Sequence, residues 1–205
     1  EMKLTDFIDE VSRESPAPGG GSIAALAGAL GASLASMVSN LTANKRGSED
    51  VDDLLNDAAE RCQELKNRLV RGIDADTDAF NVYMEARRMP ANTKDEKKAR
   101  EEAMQEGLKQ AVMVPLETAK LSLEAIVIAG TVVKHGNPNS VTDAGVGAQI
   151  AFSGVTGGVY NVLINLKDIK DTEFVNKMKQ SCMSLQAEAR TLLDGIAAEV
   201  EERIQ

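Results

Sequence analysis

The chain has 205 residues, 43% hydrophobic and 27% charged, with a formal net charge of −9. That is enough for one sizeable core, so a single domain over 1–205 is expected. The acidic balance argues against nucleic acid and anionic membrane surfaces as general partners, and the 3% aromatic content without tryptophan argues against stacking platforms for single strands.

In chain order, Leu4, Phe7, Ile8 and Val11 fall at i, i+3, i+4 and i+7 and predict a short amphipathic helix. It carries charge and lacks the apolar core of a signal peptide, which fits a cytoplasmic protein. Next comes SPAPGGGS, in which Pro16 and Pro18 stiffen the approach and Gly19, Gly20 and Gly21 free the backbone for a turn. Ser22 stands where an N-cap belongs, so a helix is expected to begin there. A glycine-rich loop at a helix start can cradle an anion, or it can be a tight connection into a buried helix. No Lys-Ser/Thr pair follows and no strand precedes, so it is neither a P-loop nor a dinucleotide fingerprint. Between Ser22 and Asn44 there is no charge, and Ala24, Gly28, Ala32 and Ser36 recur every four residues. This small-residue face predicts a central helix packed closely by its neighbours rather than a membrane span, given its frequent Ser, Asn and Thr.

Lys45, Arg46 and Gly47 suit a helix C-terminus. From about Ser48 to Met89 one long helix is expected, about eleven turns, with Val51, Leu54, Leu55, Ala58, Cys62, Leu65, Leu69 and Ile73 on its apolar stripe. Thr93 with Glu96 forms a capping box that opens the next helix, and Pro115 inside it predicts a kink near Ala111. A loop at His135 to Asn139 precedes a fifth helix, from about Thr142 to Lys167, with five glycines that demand close packing, for which a subunit interface is one candidate. Asp171 or Thr172 caps the last helix. No strand periodicity occurs anywhere, so the fold class is all-α, a bundle of about six helices around the small-residue helix. Cys62 and Cys182 lie far apart in helical surroundings and read as reduced structural thiols.

His135 is the only histidine, and no second ligand or nucleophile motif accompanies it. Carboxylates are better candidates for chemistry. Asp74, Asp76 and Asp78 fan out over different helix faces; Asp76, with Ile73 before it and Phe80 after it, lies nearest the buried stripe, where a raised pKa would suit proton transfer near neutrality. Asp143 is the second candidate, with stabilisation of a first helical turn as its structural alternative.

Four motifs in order resemble one family: SPAPGGGS with the small-residue helix, D-x-x-A-F at Asp76 to Phe80, Gly136-Asn137 followed by Asp143, and NVLINLK at Asn161 to Lys167. Together they resemble the cyclodeaminase/cyclohydrolase family of folate enzymes, and MPANT at Met89 with QEGLKQAVMVPL at Gln105 resembles its cyclodeaminase branch. The resemblance implies an all-helical homodimer that needs no metal or other cofactor, with the tetrahydrofolate derivative as substrate. It implies closure of 5-formiminotetrahydrofolate to 5,10-methenyltetrahydrofolate with loss of ammonia, with a separate formiminotransferase as a possible partner. The alternatives are methenyltetrahydrofolate cyclohydrolase and a non-catalytic folate-binding or scaffold protein. On this reading Asp76 and Asp143 are the acid–base pair. Gly19, Gly20, Gly21 and Ser22 offer N–H groups to a carboxylate or to the pterin edge, Asn137, Asn161 and Asn165 meet the ring, with helix packing as the structural alternative for Asn161 and Asn165, and Lys45, Arg46 and Lys167 meet a polyglutamate tail, with Lys134 and Arg88 behind them.

Overall fold

Small residues decide how closely the helices approach. A computed structural model describes residues 2–15, 17–43 and 49–205. Its helices are α1 (Leu4–Val11), α2 (Gly20–Thr42), α3 (Glu49–Arg88), α4 (Lys94–His135), α5 (Val141–Asn165) and α6 (Thr172–Ile204), with 3-10 turns at Pro138–Ser140 and Leu166–Asp168. The all-α class expected from periodicity is what forms. α2 and α4 pack along the inner diagonal, α3 and α5 each pack on both, and α6 covers α4 and α5.

The small face of α2 is buried as expected at Ala24, Gly28, Ala32 and Ser36. Where it crosses α5, a Cβ on Gly31 would come 2.7 Å from the Gly147 carbonyl oxygen, and one on Gly154 would come 2.9 Å from that of Ala24. Gly158 approaches α4, where a Cβ would meet the Pro115 carbonyl oxygen at 2.7 Å. Each helical glycine costs about 1 kcal/mol relative to alanine, and here backbone-to-backbone packing offsets that cost. These neighbours belong to the same chain, so the glycines do not require the subunit interface suggested for them. The outer side of α2 differs, for it leaves Ile23, Leu30, Met37 and Leu41 exposed.

Helix boundaries follow local chemistry. Thr93 Oγ1 accepts from the Glu96 N–H at 3.1 Å while the Glu96 carboxylate accepts from the Thr93 N–H at 2.9 Å, completing the expected capping box. Asp171 caps α6 by accepting from the Phe174 N–H at 3.0 Å. α4 continues through Pro115, whose missing N–H would otherwise leave the Ala111 carbonyl without its helical donor. Asn165 of α5 supplies the replacement, its Nδ2 donating to Ala111 O at 2.8 Å. Cys62 is buried, which pushes its thiol up to about 12, and both cysteines are free; at that value Cys62 is an inert packing residue.

Candidate active site

The start of α2 departs from expectation in an instructive way. The helix begins at Gly20 with Gly19 as its cap position, and Gly19 offers no side chain to the open N–H groups. Ser22 is therefore in the first turn rather than the cap. The missing acceptor comes from α3: the Asp76 carboxylate lies directly over Gly21, where a Cβ would overlap it. Ser22 faces this carboxylate and its N–H favours the charged form, while Ser22 Oγ donates to the Ile73 carbonyl oxygen at 2.9 Å. A hydroxyl has one proton to give, so the backbone N–H is the constant partner.

Two effects compete on Asp76. Burial disfavours its charge and raises its pKa, while the hydrogen bonds from Ser22 lower it; burial prevails. The result is a carboxyl group that exchanges a proton nearer to neutrality than an ordinary aspartate, held in place by a helix start. Asp74 and Asp78, its sequence neighbours, are exposed.

Asp76 opens into a cavity of about 370 Å³ whose other walls include Gly19, Gly20, Phe80, Tyr83, Ala111 and Ile164, with Asn161, Asn165 and Lys167. The amide groups of both asparagines are oriented by the fold. Asn161 Nδ2 donates to the Gly157 carbonyl at 2.8 Å and stands against Gly20, and Asn165 Nδ2 is held by Ala111. Each leaves its carbonyl oxygen and a second N–H available to a ligand. Lys167 rides on the Leu166–Asp168 turn, which Gln105 pins from α4: Gln105 Nε2 donates to Asp168 O at 2.9 Å and its Oε1 accepts from the Lys170 N–H at 2.8 Å. The turn that brings the exposed Lys167 and Asp168 to the rim is thus pinned, while the Asp76 carboxylate sits deep.

The remaining expected residues lie elsewhere. Asp143 is in the first turn of α5 and Asn161 near its last, eighteen residues along the helix, or roughly 27 Å. Within one chain the structure therefore does not bring Asp143 to Asp76, and a pair formed by the two would need a second copy of the chain. Asn137 is also at the far end, its N–H donating to Thr42 Oγ1 at 2.8 Å and its Oδ1 accepting from the Asn139 N–H at 3.1 Å, so it shapes a turn. Lys45 and Arg46, like Pro16, fall outside the described residues. Phe80, Tyr83, Ala111 and Ile164 were not anticipated as lining; positions 80 and 83, at i+4 and i+7 from Asp76, were the available signal.

A larger cavity of about 590 Å³ lies under α1, lined by Leu4, Phe7, Leu26 and Ile73 with Glu10, Asp74 and Asp78. Its charged lining is entirely acidic, which opposes an anionic ligand. The smaller cavity combines a buried proton carrier, fixed amides and a cation, and is the better candidate.

Residues 3–184 match the family model described as formiminotransferase-cyclodeaminase. The chain is 37% identical to methenyltetrahydrofolate cyclohydrolase of Methylorubrum extorquens, over 98% of this chain and 97% of that protein. It is also 37% identical to formimidoyltransferase-cyclodeaminase of Mus musculus, over 99% of this chain but only 38% of that protein. Among solved structures, formiminotetrahydrofolate cyclodeaminase from Thermotoga maritima superposes with a TM-score of 0.89 at 27% identity, covering 100% of this chain and 98% of that one. The chain belongs to the formiminotransferase-cyclodeaminase family.

Proposed function

We propose that the protein is a formimidoyltetrahydrofolate cyclodeaminase, closing 5-formiminotetrahydrofolate to 5,10-methenyltetrahydrofolate and releasing ammonia. The observation that carries this reading is Asp76, a carboxyl group with a raised pKa seated on a helix start at the floor of a ligand-sized cavity. The chemistry needs one mobile proton. N10 attacks the carbon of the protonated formimino group and forms a tetrahedral carbon; the proton on N10 must then reach the departing nitrogen so that ammonia, rather than amide anion, leaves. Asp76 accepts that proton from N10 and returns it to the leaving nitrogen, and the C–N bond to ammonia breaks as the methenyl cation forms. A single relay carboxylate suffices, which suits a cavity with one deep carboxylate. Its negative charge also favours the cationic intermediate and product. Lys167 at the rim receives a glutamate carboxylate of the tail. The chemistry that supplies this substrate is formimino transfer.

A second reading has its own support, the full-length similarity to a methenyltetrahydrofolate cyclohydrolase. There the same relay would take a proton from water and hand it to N5. Purified protein given each substrate separately tests both: ammonia release from the formimino compound above background is expected, whereas hydrolysis of the methenyl compound alone would assign the second reading. Inertness toward both would leave a binding or scaffold role.

A homodimer is part of the proposal. Ile23, Leu30 and Met37 recur every seven residues on the open side of α2, a helix without a charged residue, and such a stripe is suited to a second copy of itself. Sedimentation at the protomer mass across micromolar concentrations would count against it.

A further inference from the structure

The wall between the deep carboxylate and the rim cation is aromatic, and this is unusual for the chain. It has four phenylalanines, two tyrosines and no tryptophan, yet two of those six rings, Phe80 and Tyr83, line this cavity. Two others are occupied within the fold: Phe152 lies under the Arg190 guanidinium at 4.2 Å, and Phe174 lies near the Lys109 ammonium at 5.3 Å. Phe80 has no such partner among the described residues and is 36% exposed, although it follows a half-buried aspartate by one helical turn. Aromatic area left in water beside a cavity is a cost that a flat ligand would remove.

The helix arrangement makes that wall one side of a slot. α3 and α5 each pack on α2 and α4 without packing closely on one another, so Phe80 and Tyr83 of α3 line the space that Ile164 of α5 also lines, with Leu108 and Ala111 of α4 completing it. Ile164 is exposed as well. Asn161 and Asn165, both fixed by their Nδ2 bonds, share the α5 wall.

We propose that Phe80 and Tyr83 form a stacking platform for the fused pterin ring, with Ile164 facing it, so that the ring enters the slot and the tail leaves past Lys167. The inference rests on the folate reading above and fixes the orientation of the ligand. Charge and depth set the direction: the deep end holds the desolvated Asp76, which repels a glutamate carboxylate, and the rim holds Lys167, the one cation of the lining, beside the solvated Asp168. The asparagine carbonyl oxygens then meet the N–H groups of the ring edge. The p-aminobenzoyl ring is also flat and competes as the stacked group, so the test separates the two.

The test measures binding of two fragments by calorimetry, 6-methyltetrahydropterin and p-aminobenzoylglutamate, alongside the KM and kcat of the intact substrate. Phe80→Ala is expected to weaken the pterin fragment on the order of ten- to a hundred-fold, the effect typical of removing a stacking ring, and to leave the aminobenzoyl fragment unchanged. Tyr83→Ala should act in the same direction, and Tyr83→Phe should restore binding, since the ring rather than the hydroxyl is required. Phe80→Leu, which keeps apolar bulk without a π face, should give an intermediate loss, and unchanged circular dichroism establishes that each variant folds. Wild-type turnover with an unchanged KM in Phe80→Ala and Tyr83→Ala overturns the platform and leaves the folate reading intact, as does a loss confined to the aminobenzoyl fragment. Absence of any folate binding by the wild type overturns both.

Discussion

Asp76 and Asp143 are the same residue, each on a long helix beside small or apolar neighbours, and the fold treats them differently. Asp143 is in the first turn of its own helix, α5, where a negative charge complements the N-terminal dipole. Asp76 serves the start of a helix to which it does not belong: it comes from the middle of α3, fits over Gly21, and takes hydrogen bonds from Ser22 of α2. Both residues are half-buried, but one carboxylate stays in its own first turn, whereas the other is desolvated over a neighbouring helix start and lines a cavity. The difference teaches that residue type and local spacing name candidates, while the element packed across from a side chain decides its chemistry.

The largest effect separating the two ends should come from Asp76→Asn. Loss of a proton relay lowers the rate about 10²- to 10⁴-fold, read as ammonia release from the formimino substrate at saturation. Acting as the acceptor from N10, Asp76 must start ionised, so wild-type rate should fall as pH drops through its raised pKa, placing the acid limb above the ordinary aspartate range near 4. Stability carries the same signature with its own sign. Between that ordinary value and the raised one the native state binds the proton more tightly than the unfolded chain does, so stability decreases as pH rises through the window. The asparagine variant should lack that slope, and a wild-type titration without it would place the carboxylate in an ordinary environment.

Gly21→Ala tests the seat rather than the group. Its Cβ would occupy the space of the Asp76 carboxylate, and displacing a reacting group by about an ångström costs on the order of 10²-fold in rate. Crowding should lower stability by about 1–3 kcal/mol as well. Gly195→Ala is the control, since nothing lies within 4 Å of its Cβ position on α6, and there alanine should stabilise by roughly 0.5–1 kcal/mol. Equal behaviour of the two variants in turnover and in urea melts would remove the special role of Gly21.

A smaller effect is expected at the cavity wall. Asn165→Leu leaves the Ala111 carbonyl without a donor, which costs about 1–3 kcal/mol when the group is shielded from water. Pro115→Ala restores a backbone N–H at that position, so the double variant should recover part of the loss, and strict additivity in a double-mutant cycle would show that the asparagine does not compensate for the proline.

These cases mark how far the sequence could be read. Periodicity gave the helices because burial repeats every turn along a single element, and the capping box at Thr93 and Glu96 was legible because both partners are local. Asp76 was recoverable from Ile73 and Phe80 for the same reason. What lay beyond local reading was each partnership across helices: that Gly21 is small to admit Asp76, that Asn165 answers Pro115, and that Gln105 holds the turn carrying Lys167. The five glycines of α5 pointed correctly to close packing, but spacing alone could not say that α2, α4 and α6 of the same chain supply it.

The smallest effect is expected at Asp143, and it is the one best able to break the comparison. Treated as a first-turn charge, it contributes about 0.3–1 kcal/mol to α5, so Asp143→Asn should shift the urea midpoint slightly and change turnover less than about twofold, a difference too small for loss of a proton-transfer group. The roughly 27 Å along α5 between Asp143 and Asn161 leaves no route within one chain for Asp143 to act on a ligand beside Asp76. A loss as large as that of Asp76→Asn would therefore require a second copy whose Asp143 end meets this cavity. Mixing the two variants separates the cases. If the carboxylates belong to one shared site, mixed dimers regain one intact site from two defective chains and activity reappears; if Asp143 serves only its own helix, the mixture shows the unaltered activity of the Asp143→Asn chain and nothing more.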